Sequence, residues 1–278
     1  MGLSKEQIAR YSRQLRLPEL GVAGQARLQR AAVLLVGAGG LGSPAALYLA
    51  AAGVGTLGLI DPEPVALSNL HRQILHTVAS LGQLKVASAQ AQLAARNPEV
   101  TVRPIAGRLT AANAREVLQP YDLVLDGSDN FPTRYLVNDA CVLLGKPLVH
   151  GGVVEFTGQV LTILPKQGAC LRCVFPEPPQ AGAVPSCQDA GVVGTAAGVI
   201  GCLMAHEALK LLTGIGEPLV NRLAVFDGKA SRLRDVPVRR DADCAVCGDH
   251  PTMQELIDRD EPTCMSAHTE EDAWPGSR

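Results

Sequence analysis

A chain of 278 residues with 47% hydrophobic content has enough apolar material for a sizeable core, as one large α/β domain or two small ones. Its 25 basic and 27 acidic residues leave a net charge of −2 with no strong bias along the chain, so no global field recruits nucleic acid or an anionic membrane. The N-terminus MGLSKEQIAR lacks an apolar signal core, and Glu6 stands where a myristoylation motif takes Ser or Thr, which makes cytoplasmic residence the expectation.

The first strong signal is AAVLLVGAGGLGS. A short Val- and Leu-rich run suits a parallel strand buried on both faces, and it breaks into four glycines within six positions. Gly37, Gly39 and Gly42 fill the pattern G-x-G-x-x-G, and the Ala-rich stretch after them predicts a helix ending at Gly53. Glycines at a strand-to-helix turn let backbone approach a phosphate, which the helix N-terminus favours electrostatically. A Gly-rich turn of another α/β protein has the same local appearance. A second apolar strand, TLGLI, ends in Asp61, close to the spacing at which an acidic side chain grips a ribose hydroxyl.

Beyond Asp61 the alternation continues. After the loop DPEPVALSNLHRQILH, a helix is predicted from about Gln83 to Arg96, then a strand near VTVRPI and a helix near AANAREVL. The strand YDLVLD, a helix from about Pro132 to Gly145 and the strand KPLVHGG complete a doubly wound, Rossmann-like α/β sheet, mainly parallel. Antiparallel strands are expected in the C-terminal half: EFTGQVLTIL, then a hairpin from LAVFDG and ASRLRDV. Between them lies FPEPPQAGAVPSCQDAG, Pro- and Gly-rich and without periodicity, the character of a functional or mobile loop.

The uncharged stretch from Ala190 to Ala205 is too short to span a membrane, and His206, Glu207 and Lys210 follow at once. It reads as an internal helix continuing through EALKLLTG, with Gly194 and Gly198 allowing close backbone approach. Of eight cysteines, four fall into the pairs Cys170/Cys173 and Cys244/Cys247. One C-x-x-C is compatible with a redox pair, but two pairs favour a closed four-cysteine zinc site. Cys141 and Cys202 lie in apolar helical surroundings and read as small buried hydrophobes. Past His250 only PTMQELID has helical potential, and the polar remainder of a tail over 251–278 is expected to be partly disordered.

The fingerprint and Asp61 alone suit a NAD-dependent oxidoreductase, for which His150 is the nearest candidate acid or base. Later residues point elsewhere: Arg72 in SNLHRQ, Lys85 at the next helix, and Asp126 and Asp129 in DGSDN after the fourth strand. A triphosphate needs cations for its own charge and for a developing pyrophosphate, and Asp129 suits Mg²⁺, which takes one or two carboxylates plus phosphate oxygens. The set reads as magnesium-bound ATP.

In chain order, GAGGLGS, LIDPEPVALSNLHRQ, GQLKVASA, VLDGSDNFPTRYLVN, CLRC, CQDAGVVG and CAVCG resemble the MoeB/ThiF family, bacterial relatives of ubiquitin-activating enzymes, over roughly residues 4 to 248. The resemblance implies an adenylation domain over 1–250. Its partner is a small β-grasp sulfur carrier ending in Gly-Gly, whose terminal carboxylate attacks the α-phosphate of ATP to give an acyl-adenylate and pyrophosphate. By matching motif it assigns Gly40 to the nucleotide loop and Asp61 to the ribose. Ser68, Asn69, Leu70, His71, Arg72 and Lys85 line the nucleotide, while Asp129 and Asn130 hold Mg²⁺ and phosphates.

Arg13 matches an Arg that reaches a partner subunit's ATP site, which implies a homodimer, though a solvated helix residue and, for Asp126, a helix cap are the plain alternatives. Cys170, Cys173, Cys244 and Cys247 match the zinc ligands. Cys187 sits at the family's variable reactive cysteine, and nothing local beside Asp189 lowers its pKa. The segment CGDHPTMQELID resembles a linker that leads into a rhodanese domain in longer relatives, which implies a separate sulfur donor, a cysteine desulfurase or a free-standing rhodanese. Molybdopterin, thiamin and tRNA-thiolation carriers are all compatible. A zinc-stabilised scaffold without activity should lack ATP residues, and none is missing.

Overall fold

The computed structural model describes residues 3–179 and 190–259. Its centre is an eight-stranded sheet in the order β3-β2-β1-β4-β5-β6-β7-β8. The strands are β1 Ala32–Val36, β2 Thr56–Asp61, β3 Thr101–Ala106, β4 Leu123–Asp126, β5 Leu148–Val154, β6 Thr157–Ile163, β7 Arg222–Asp227 and β8 Arg232–Pro237. The first five pair in parallel, and β6, β7 and β8 are added antiparallel. The chain reverses direction across the sheet between β1 and β4, the place where an open α/β sheet leaves a crevice beyond its strand ends.

Helices cover both faces: α1 Lys5–Arg10, α2 Ser12–Leu15, α3 Gly21–Arg30, α4 Gly42–Ala52, α5 Lys85–Arg96, α6 Ala114–Leu118, α7 Phe131–Leu144, α8 Leu171–Val174 and α9 Gly194–Thr213. One buried cluster lies under α4, α5 and α9, with Leu49, Leu57, Leu93, Ile200 and Met204 among its residues. The second lies under α6 and α7, from Leu34 and Val124 to Val137 and Leu161. β1 and β4 send alternate side chains into both, so their sequences are apolar throughout.

The predicted helices survive with shifted ends. α4 stops at Gly53 and α7 at Gly145, both left-handed, as glycine permits at a helix end. The α6 helix keeps only Ala114–Leu118 of the longer expected stretch, and α5 begins at Lys85. The apolar helix α9 is long and apolar enough to cross a membrane, yet it packs on α4, α3, β5 and β6. Its glycines do not act alike. A Cβ on Gly194 would meet the His71 carbonyl oxygen and one on Gly201 the Leu41 carbonyl oxygen, both at 2.4 Å, whereas Gly198 faces open space.

PTMQELID forms no helix. Residues 251–259 run irregularly, tied down by Met253 N–H to the Ala245 carbonyl and by Ala111 N–H to the Asp258 carboxylate. Those tertiary bonds replace the local ladder a helix would need. The tail from residue 260 and the loop carrying Cys187 and Asp189 lie outside the described residues.

Candidate functional site

The carboxyl ends of β1, β2 and β4 converge on one crevice. At the end of β1 the chain turns through Gly37, whose φ of +93° suits glycine. A Cβ on Gly42 would lie 2.0 Å from the Gly37 carbonyl oxygen, and one on Gly37 would lie 3.0 Å from that of Gly127. The glycine loop and the loop after β4 are therefore in backbone contact, which only residues without side chains allow. Among the described residues the N–H groups of Gly39, Gly40 and Leu41 have no acceptor. Three free donors ahead of an eleven-residue helix make a ready anion cradle.

Asp61 ends β2 and is buried. One carboxylate oxygen accepts from Ala38 N–H and the other from Glu63 N–H, each at 2.9 Å. It thus clamps the glycine loop, and each oxygen keeps a lone pair that could accept from a ligand. Ser68, Asn69, Leu70, His71 and Arg72 follow on a 3₁₀ turn, Leu67–Asn69, and the turn after it. The Asn69 side-chain oxygen accepts from Ala66 N–H, shaping that turn. Arg72 lays its stem against Gly40, 3.4 Å from where a Cβ would stand, and donates to the Ser68 carbonyl at 3.0 Å. Lys85, 3% exposed, pairs with the Glu63 carboxylate at 2.6 Å.

The loop after β4 holds Asp129, exposed and without a partner among the described residues, and Asn130, whose side chain caps α7 by accepting from Thr133 N–H at 2.9 Å. Asp126 caps no helix. It is fully buried, accepts from Ser128 N–H and Oγ–H at 3.0 and 2.6 Å, and faces His150 Nδ1 at 2.8 Å. Burial alone would raise its pKa, but the His150 hydrogen bond and charge outweigh that and hold the carboxyl below its ordinary range. His150 is itself only 1% exposed, which keeps its ring from a bound substrate and speaks against it as the acid or base that a nicotinamide reading required. Arg13 is exposed on α2 with no partner among the described residues.

Among the described residues two buried polar atoms lack partners, Ser43 Oγ at the start of α4 and Gln73 Oε1 beside Arg72. With the free N–H groups, they fit a polar ligand seated on the loop, since a buried polar group without a partner is costly. His76 and Gln73 escaped the sequence reading although both lie in the quoted motif region. Buried His76 joins Ser88 Oγ to the Ala38 carbonyl, both at 2.9 Å. A buried His is recognisable from sequence only when its partners are known, and these come from α5 and the glycine loop.

On the other side of the molecule the four paired cysteines meet, their sulfurs all within 4.8 Å of one another. Cys170 lies 3.8 Å from Cys173 and 3.6 Å from Cys244, and Cys173 lies 3.3 Å from Cys247. Zinc bonds of about 2.3 Å to four sulfurs make a tetrahedron with edges of about 3.8 Å, so the set fits one ion. Hydrogen bonding to its neighbour drives Cys170 up and Cys173 down, the latter also accepting from Asp241 N–H. Zinc would hold all four as thiolates and tie the first pair to the C-terminal strands.

Arg172, inside the first pair, forms a two-pronged bond to Asp139 of α7 at 2.8 Å for each prong and stacks on Tyr135. Leu171 N–H donates to Asn138, a second tie between α7 and α8. Cys141 is buried, its thiol pushed up by desolvation, and Cys202 is only half-buried.

The ThiF family model matches residues 11–246. A sulfur carrier protein adenylyltransferase of Thermus thermophilus is 54% identical over 263 residues, covering 93% of this chain and 97% of that protein. The pig protein named adenylyltransferase and sulfurtransferase MOCS3 is 52% identical over 269 residues, 96% of this chain but 59% of its own length. Among solved structures, E. coli MccB with MccA-N7isoASN superposes with a TM-score of 0.77 at 25% identity, over 88% of this chain and 75% of that one. By the family model and the 54% identity to the Thermus relative, the chain belongs to the ThiF family.

Proposed function

We propose that this adenylyltransferase uses ATP to activate the C-terminal carboxylate of a small β-grasp sulfur carrier ending in Gly-Gly, giving an acyl-adenylate and pyrophosphate. The observation that carries the reading is the meeting, at one strand-end crevice, of three free backbone N–H groups with Asp61, Arg72, Lys85 and Asp129. The name of the Thermus relative supports the carrier as substrate.

A carboxylate is a poor electrophile until its oxygen becomes part of a good leaving group, and transfer to the α-phosphate achieves that. Such a step needs alignment and charge neutralisation rather than a side-chain nucleophile. The N–H groups of Gly39 to Leu41 hold phosphate oxygens, and Asp61 orients the ribose. Arg72 and Lys85 face the departing pyrophosphate. Lys85 is held by Glu63, so the phosphates compete with that carboxylate for the ammonium. Asp129 and Asn130 would hold Mg²⁺, which supplies charge neutralisation of the phosphates when bound.

Residues 1–250 act as one adenylation domain in this reading. A homodimer is part of it, supported by exposed Arg13 and by Leu67, Ile74 and Val78, 71%, 59% and 69% exposed beside the crevice segment. Cys187 is assigned to the carrier-handling step after adenylation, with sulfur from a separate donor. ATP–pyrophosphate exchange with Mg²⁺ and each candidate carrier, for molybdopterin, thiamin or tRNA thiolation, tests the proposal. Carrier-dependent exchange is expected, and its absence with every carrier in a folded, zinc-loaded protein overturns it.

A further inference from the structure

Ala38, the residue between the first two glycines of the loop, is fully buried and held by side chains at both of its backbone groups. Its N–H donates to Asp61 Oδ2, and its carbonyl faces His76 Nε2, each at 2.9 Å. A carbonyl can only accept, so Nε2 carries the proton. Nδ1 of the neutral ring then accepts from Ser88 Oγ–H at 2.9 Å. Ser88 lies on α5, one turn beyond Lys85.

The Ala38–Gly39 peptide is trans, and in a trans peptide the C=O and the following N–H point in opposite directions. Fixing the Ala38 carbonyl on buried His76 therefore aims Gly39 N–H away from the core, on the partly exposed side of the loop. That N–H has no acceptor among the described residues. Without the imidazole the carbonyl would be a buried acceptor in need of a donor, and the peptide would gain by turning over, which would swing the N–H inward.

Resting on the ATP reading above, we propose that His76 is a positioning residue for phosphate. It locks the Ala38–Gly39 peptide in the orientation that presents Gly39 N–H to the nucleotide, and Ser88 locks its tautomer. His76 touches no substrate and acts only through that peptide. The effect is confined to groups that contact phosphate, and the nucleoside end of the ligand does not depend on it.

The geometry separates three variants. Gln places its amide N–H₂ near the position of Nε2 and keeps the bond to Ala38. Asn reaches only the Nδ1 position, and Phe keeps the bulk without a donor. Calorimetric titration of wild type, H76Q, H76N and H76F with Mg²⁺–ATP and, separately, with adenosine tests the idea, alongside thermal melts. The expected result is a loss of roughly tenfold in ATP affinity for H76N and H76F, with adenosine affinity unchanged and H76Q within about twofold of wild type. H76N decides the matter should H76F fail to fold.

Equal ATP affinity across folded variants would overturn the inference while leaving the ATP site intact. So would a parallel loss of ATP and adenosine binding, which marks a general structural role. A wild-type protein that binds no ATP overturns the ATP reading, and this inference with it.

Discussion

The crevice at the parallel strand ends and the cysteine cluster beside the antiparallel strands hold themselves together in opposite ways. In the crevice, buried side chains bond to backbone: Asp61 to Ala38 and Glu63, His76 to Ala38, Asp126 to Ser128. Each bond fixes one peptide, and among the described residues the N–H groups of Gly39, Gly40 and Leu41 are left without acceptors at the edge of a finished core. In the cluster, four sulfurs join segments 74 residues apart, and the Arg172–Asp139 bridge ties the first of those segments to α7. The first region is stable because strands β1, β2 and β4 are buried on both sides, and it can give its polar groups to a ligand. The second is held by a buried salt bridge and by four sulfurs placed where one ion could join them.

Metal removal should expose this contrast most strongly. Chelation, or Cys244→Ala, is expected to release zinc and abolish hydrogen-exchange protection around β7, β8 and residues 240–250, while β1, β2 and β4 stay protected. Equal loss in both regions would erase the distinction.

Next in size is Asp139→Leu, which leaves Arg172 buried without its carboxylate. About 3–5 kcal/mol of stability should be lost in urea unfolding, with zinc stoichiometry retained if α7 and not the ion is what the bridge supports. Lys85→Met reaches the crevice instead. Pyrophosphate exchange should fall on the order of 100-fold, and the melting temperature should hardly move, because Glu63 is solvent-exposed and loses little when the pair is broken.

A subtler comparison uses pH. Burial, against the pull of the Ala38 hydrogen bond, keeps the His76 pKa below its ordinary 6.5. As pH falls below 6.5 the unfolded chain takes up a proton that the folded chain refuses, so this residue costs stability down to its folded pKa and is neutral in effect above 6.5. The wild-type minus H76Q difference in unfolding free energy should shrink across that window, and a flat difference would place the proton elsewhere. The smallest effect is expected at Arg222→Ala, which breaks an exposed bridge to Asp235 and should change stability by about 0–1 kcal/mol.

Most of the parallel half is legible in the sequence because continuous apolar runs, glycine punctuation and an acidic strand end are local signals. GAGGLGS and the terminal Asp61 need no partner to be read. The helices α1 to α3 lie outside the elements predicted from the sequence, although a Ser4–Gln7 capping box opens α1.

The pairing of Asp126 with His150 and the partners of His76 are likewise absent from any short window, since each joins separate strands, loops or helices. PTMQELID shows the reverse error, a local preference overruled by two long-range hydrogen bonds. The cysteine spacing predicted a shared site, and the sulfurs do come together. What spacing could not supply is Arg172, whose tie to α7 links that site to the helix capped by Asn130.

The sheet's outermost strands have one more consequence. β3 carries Pro104, which cannot donate a hydrogen bond, and β8 is exposed throughout, with Arg232, Arg234 and Asp235 before Pro237. Both ends of the row are therefore poor templates for another strand. A molecule built on eight strands is thus protected against growing into fibrils edge to edge, and its associations are left to side-chain chemistry on its faces.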